Sequence, residues 1–315
     1  MKLQPTPLQK CIFPLLPENC MGRIIYIKRE DLNPSGSHKD RALFPYVDKL
    51  VKKGEEAFCL SSSGNFAVSA AYYAHHHTQV QFHLFLPPTI SQEKKDRLNE
   101  YKTDNVIIHW SKLAKSEAGQ FSRKTHIRLL RGSKDDCLLE GYYELVRELV
   151  EQTKGKGGSV FMAVSSGTML VGLWEGFQNN PKSKISRHSG ISHILENQIQ
   201  GAGQIPNFYI VQSTRVHPIA SEFDSDFTPT KSSIASAIVD RVANRKDQVV
   251  NAVKESHGSG WIVSDEEITI AMKKLAGVLH ENVSPESAMS LAGLQKACSK
   301  GFHVKKPIVL IFTGK

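Results

Sequence analysis

Apolar residues along this chain fall into two patterns: short continuous runs, and stretches in which they recur at helical spacing. The runs, rich in β-branched and aromatic residues, predict strands at 24–28, 57–61, 80–86, 106–109, 160–164, 208–212, 261–263 and 308–312. The helical spacing predicts helices over 38–52, 65–76, 92–101, 113–130, 139–153, 168–178, 232–241, 264–280 and 286–299. Strands alternating with helices imply βαβ units, hence an α/β fold with largely parallel sheets flanked by helices. Ser264 followed by Asp265, Glu266 and Glu267 reads as a helix N-cap with acids in the first turn. The Gly155-Lys156-Gly157-Gly158 linker divides the pattern. Residues 55–152 are expected to form a small four-stranded domain, and residues 1–54 with 153–315 a larger one. The stretch 181–206 lacks periodicity and reads as a surface insertion.

Composition narrows the class. At 315 residues, with 40% hydrophobic and 23% charged, the chain can bury one large core or two moderate ones. No apolar run reaches the roughly 18 residues of a membrane span, and the N-terminus lacks the apolar core of a signal peptide. The five cysteines (Cys11, Cys20, Cys59, Cys137 and Cys298) show no metal-ligand or CxxC spacing. A dispersed, odd count predicts reduced thiols and a cytoplasmic location. The formal charge of +9 fits nucleic acid or small anions. Basic residues are dispersed, without aromatic interleaving, which favours small anions and argues against nucleic acid. His75-His76-His77 resembles a metal site, but consecutive helix positions point about 100° apart, so no metal is expected there. Lys94-Lys95-Asp96-Arg97 reads as the solvent face of its helix.

The chemistry centres on Lys39. A predicted strand, the turn Asn33-Pro34-Ser35-Gly36-Ser37-His38 and a predicted helix place this lysine at a helix N-terminus. The macrodipole there disfavours an ammonium, which helps a lysine act as an imine-forming nucleophile. Two further small-residue turns open helices directly after strands. They are Ser61-Ser62-Ser63-Gly64-Asn65, suited to a carboxylate, and Ser165-Ser166-Gly167-Thr168-Met169, suited to a phosphate. A fourth segment, the buried-strand pattern 307–312, runs into Thr313-Gly314-Lys315.

Together, in this order, these segments resemble those of fold-type II pyridoxal-phosphate (PLP) enzymes. Asn-Pro-Ser-Gly-Ser-His-Lys-Asp-Arg resembles the cofactor-lysine segment of threonine synthases. Lys28-Arg29-Glu30-Asp31-Leu32-Asn33 and the His38-Lys39 pair resemble the β subunit of tryptophan synthase. Trp174-Glu175-Gly176-Phe177, Ser232–Ile238 and the 284–294 segment echo threonine synthases again. The resemblance implies a two-domain fold with a large PLP-binding domain and a small mobile one, and Lys39 as the lysine that holds PLP as a Schiff base and moves protons. It implies Asn65 at the ring oxygen O3′. Ser62, Ser63 and Gly64 would then bind the substrate carboxylate, and Ser165, Ser166, Gly167, Thr168 and Met169 the cofactor phosphate, with His38 adding a donor. Thr313 would face the pyridine nitrogen. Family members carry more glycine in the phosphate loop, which here has only Gly167.

The implied activity is β- or γ-elimination or replacement on an anionic amino acid by a homodimeric lyase, as in the conversion of O-phosphohomoserine to threonine and phosphate. A threonine/serine dehydratase, an O-phosphoserine-dependent β-replacement enzyme and, from another class, a non-catalytic PLP-fold binding protein are the alternatives.

Overall fold

The computed structural model describes residues 1–13, 24–62, 64–179 and 203–315. In chain order the strands are β1 (Leu8–Ile12), β2 (Ile24–Arg29), β3 (Ala57–Ser61), β4 (Gln81–Leu86), β5 (Val106–Trp110), β6 (Arg128–Leu130), β7 (Ser159–Ala163), β8 (Asn207–Ser213), β9 (Ser259–Val263) and β10 (Ile308–Phe312). The α-helices are α1 (Lys39–Val51), α2 (Asn65–His76), α3 (Gln92–Glu100), α4 (Ala114–Thr125), α5 (Tyr143–Gln152), α6 (Thr168–Asn179), α7 (Lys246–Glu255), α8 (Asp265–Leu279) and α9 (Pro285–Ser299). The chain folds into two compact units. The smaller holds residues 1–4, 31–141 and Gly314, and the larger holds 5–30, 142–313 and Lys315.

The larger unit is built on a six-stranded sheet in the order β1-β2-β10-β7-β8-β9. All its pairings are parallel except the edge pair β1–β2. Strands β7, β8, β9 and β10 are buried at every position, which explains their unbroken apolar runs: a parallel strand covered on both faces has no polar side to alternate with. Helix α8 starts on the expected device. Ser264 accepts from the Glu267 N–H, and the Glu267 carboxylate accepts from the Ser264 N–H at 2.7 Å.

The smaller unit carries a four-stranded parallel sheet, β5-β4-β3-β6. Phe58, Leu60, Phe82 and Leu84 are fully buried in its two central strands, β3 and β4. Its fourth strand lies where the pattern predicted the end of a helix. Helix α4 stops at Thr125 because His126 turns left-handed (φ 60°), and residues 128–130 then pair with Phe58–Leu60 of β3.

Four other departures from expectation are found. Residues 232–241 form no helix, because side chains take their backbone groups. The Ile234 N–H donates to the Asp265 carboxylate at 3.1 Å and the Ala237 N–H to Glu286 at 2.7 Å. Helix α7 escaped prediction because its apolar stripe is only Val249, Val250, Ala252 and Val253. The polar edge strand β1 has too few apolar residues to signal itself. Cys11, Cys59 and Cys137 are free, but Cys298 is disulfide-bonded, a pairing that sequence spacing does not report. Most of the predicted 181–206 insertion lies outside the described residues. No helix among the described residues is long and apolar enough to cross a membrane.

Candidate active site

In the smaller unit, Lys39 is the first residue of α1, directly after the buried turn residues Ser35, Ser37 and His38. The turn is tied down from within. Asp40 accepts from the Ser35 N–H at 2.7 Å, from the Ser35 hydroxyl, and from the Ser69 hydroxyl at 2.6 Å. Arg97 donates to the Ser35 carbonyl. Burial pushes the Asp40 carboxyl up to about 6 against the opposing pull of these hydrogen bonds and of Arg97. Burial, and secondarily the Lys39 charge, hold the His38 imidazole well below its usual value. His38 is therefore neutral, with one N–H to donate.

The second turn lies at the carboxyl end of β3. The Gly64 N–H donates to Ser62 Oγ at 3.2 Å, and Asn65 begins α2. Asn65 Oδ1 is shielded from solvent and has no hydrogen-bond partner among the described residues. Gly314 forms a bridge with Ser37 and packs on the same amide. Ser63 lies outside the described residues. Lys94, expected on a solvent face, is only 6% exposed, and its ammonium lies 3.8 Å from where a Cβ on Gly64 would sit. A polar helix such as α3 offers no apolar stripe from which that inward face could have been inferred.

In the larger unit, two predicted segments come together because their strands are neighbours. Parallel β7 and β10 end side by side, with Ile311 opposite Met162. The loop Ser165–Thr168 and buried Thr313 therefore follow the carboxyl ends of adjacent strands, where open α/β sheets hold ligands. Gly167 is left-handed (φ 84°), and a Cβ there would meet Val249 Cγ2 at 2.4 Å, so the turn requires glycine. Ser166 and Thr168 hydroxyls lie 3.0 Å apart at the start of α6, and Met169 is buried behind them. Ser165 points elsewhere: its hydroxyl donates to Asp240 Oδ2 at 3.0 Å.

Not every residue of the family-like motif faces a ligand. Lys28 is fully buried in the larger unit and donates to Glu148 at 2.5 Å, to the Thr6 carbonyl and to Gln152. Among the described residues no group of three or more His, Cys, Asp or Glu is placed to hold a metal.

Parallel strands with small-residue turns opening helices at their carboxyl ends define an α/β fold of the kind that holds ligands at those ends. Residues 1–314 match the family described as pyridoxal-phosphate dependent enzyme, and the chain belongs to it. The threonine synthase of Methanosarcina acetivorans is 27% identical over 98% of this chain and 74% of its own length. The human L-serine dehydratase/L-threonine deaminase is 30% identical over 50% of this chain and 48% of its own. The processed form of threonine deaminase isoform 2 from Solanum lycopersicum superposes with a TM-score of 0.73 at 19% identity, over 99% of this chain and 79% of that one, a likeness of fold. The architecture is that of fold-type II PLP enzymes, and the cofactor of the family is PLP.

The residues present fit that cofactor. Asn65 carries a shielded amide whose NH2 end can donate to a ring oxygen, and the left-handed glycine at 167 opens backbone N–H groups at a helix start.

Proposed function

We propose that this chain carries out β- or γ-elimination or replacement on an amino acid with an anionic side chain, in the manner of threonine synthase: O-phosphohomoserine to threonine and phosphate. The observation that carries the reading is Lys39, the first residue of a helix, in a turn whose sequence resembles that of threonine synthases. Relatives named threonine synthase that match nearly the whole chain support it.

Lys39 would hold PLP through its amine and, once released, carry the proton between the substrate carbons. When bound, PLP supplies an electron-accepting ring that stabilises negative charge at the α-carbon. Asn65 would hold the ring oxygen, and neutral His38 would donate a hydrogen bond without adding charge. Ser62, Ser63 and Gly64 would orient the α-carboxylate, beside the Lys94 ammonium. The start of α6, from Ser166 to Met169, would hold the cofactor phosphate. The Thr313 hydroxyl would face the ring nitrogen, leaving it largely unprotonated. A weak electron sink of that kind favours elimination and replacement over transamination. A cytoplasmic homodimer is the form that goes with this reading.

A dehydratase is the second reading, favoured by the 30% identity to the human serine dehydratase over half the chain. One set of assays separates them. Phosphate release with threonine formation from O-phosphohomoserine is the expected result. Ammonia and a keto acid from threonine or serine would replace the first reading with the second. A purified protein without PLP bound at Lys39 would overturn both.

A further inference from the structure

The phosphate loop of the larger unit is poorer in donors than its sequence suggests. The single proton of Ser165 goes to Asp240 Oδ2 at 3.0 Å. The lone pairs of the same oxygen accept the N–H groups of Val239 and Asp240 at 3.2 and 3.3 Å. Ser165 thus ties the loop to residues 239–240 and is spent as a phosphate ligand. The tie also brings a carboxylate beside a turn that would hold a dianion, and like charges so placed repel. The paired hydroxyls of Ser166 and Thr168 and the backbone N–H groups of the turn are all uncharged.

The stem of a buried arginine packs against this turn. Arg245, immediately before α7, is only 4% exposed, and its Cβ lies 3.6 Å from where a Cβ on Gly167 would sit. Val249, one helical turn on, fills the rest of that space at 2.4 Å. The Arg245 stem thus lies at ordinary van der Waals distance from the left-handed turn, while Val249 takes the space that Gly167 leaves open. Arg245 Nη1 donates to Gln248 Oε1 at 3.2 Å. A guanidinium carries five N–H donors in a rigid fork and serves several acceptors at once, and the fork matches phosphate geometry. A buried arginine beside an anion-binding turn is suited to balancing charge there.

We propose that Arg245 is a phosphate-binding residue of the cofactor site, supplying the positive charge that a single-glycine loop tied to Asp240 lacks. The proposal rests on the reading that this chain binds PLP. Nothing in the sequence pattern flags Arg245, which stands just outside the 232–241 spacing and just before the weakly striped helix α7.

The test compares two probes that differ only in the phosphate, PLP and pyridoxal. The full-length chain is freed of cofactor by dialysis and checked for retained folding by thermal unfolding. Binding of each probe is then followed by absorbance. Wild type should prefer PLP strongly. R245Q should reduce the ratio of pyridoxal to PLP dissociation constants by about 10- to 100-fold, the range for a lost charge-assisted hydrogen bond, while pyridoxal binding stays unchanged. R245K, which keeps the charge but not the fork, should recover part of the ratio. D240N provides a second arm that reads the same balance if R245Q does not fold: removing the carboxylate should raise the ratio. An unchanged ratio in R245Q, equal weakening of both probes, or no rise in D240N would overturn the role of Arg245. Wild-type protein that binds neither probe at Lys39 would overturn the PLP reading itself, a distinct result.

Discussion

Gly314 and Asn65 are packed so closely that a Cβ on the glycine would lie 2.5 Å from the Asn65 amide nitrogen. The same Cβ would approach Ser37 Cβ to 3.1 Å, so the glycine fits between the lysine turn and the asparagine amide. Its small size therefore fixes where that amide sits. Gly314→Ala should leave the protein folded but displace Asn65, weakening PLP binding about tenfold, as expected for one lost buried hydrogen bond. Asn65→Ala should do the same. The double variant should be no worse than either single one, because both act through one amide. Additive losses in a cofactor titration of all three proteins would separate Gly314 from Asn65.

Lys39 begins α1 within a turn that Asp40, Ser69 and Arg97 hold in place, so its amine issues from a fixed backbone. Borohydride reduction of the holoprotein followed by peptide mapping should label Lys39. Lys39→Ala should abolish the label and the visible absorbance while the thermal melt of the cofactor-free protein stays close to wild type. A label on Lys94, the buried ammonium near Gly64, would transfer the covalent role to that residue.

Asp40 makes folding stability depend on pH in a definite direction. Its carboxyl, pushed by burial from an ordinary 3.8 to about 6, holds a proton more tightly in the folded chain than in the unfolded one. Between those values the folded state binds more protons, so the contribution of Asp40 to stability falls as pH rises and is level above about 6. At about 1.4 kcal/mol per pKa unit, the span amounts to roughly 3 kcal/mol. Its surroundings are Ser35, Ser69 and the Arg97 charge, and only the last is ionic. Urea unfolding at pH 4.5 and pH 7 should therefore show Asp40→Asn regaining stability relative to wild type at the higher pH. A wild-type-like pH profile in Asp40→Asn would mean that the carboxyl titrates normally.

How much of this was legible in the sequence depends on whether the signal is local. Strands β3 and β10 are found at the predicted residues because each is a compact apolar run between polar turns. Helix α1 is legible because turn chemistry and periodicity meet at Lys39. What failed depended on distant partners. Residues 232–241 have helical spacing, but Asp265 and Glu286 take their amides. Strand β6 exists because β3 offers an edge, which nothing in Arg128-Leu129-Leu130 announces. In the candidate site, the turns at 62–65 and 165–168 could be placed at helix starts, whereas the commitment of Ser165 to Asp240 spans 75 positions of chain. Lys94 and Arg245 belong with these, since a charged residue on a helix or just before one gives no sign of being buried until its neighbours are known.

Lys28 and Glu148 form a buried ion pair, 0% and 4% exposed, with a 2.5 Å contact. Lys28 lies in the segment that leads to the cofactor lysine, yet its ammonium is taken up by Glu148, the Thr6 carbonyl and Gln152. Glu148 in turn accepts the Thr6 N–H at 3.1 Å, so the pair fastens the entry segment, strand β2 and helix α5 of the larger unit together. Removing one partner strands a charge in a dry interior, which typically costs about 3–5 kcal/mol, whereas replacing both with apolar residues of similar volume is often neutral. Lys28→Met should therefore destabilise the protein by that amount in urea unfolding, and Glu148→Leu comparably. The Lys28→Met/Glu148→Leu double variant should recover much of the loss, short of the hydrogen bonds to Thr6 and Gln152. Covalent PLP at Lys39 should persist in the double variant, because the pair holds structure and touches no reacting group. Loss of cofactor from a stable double variant would instead assign Lys28 a direct part in the site.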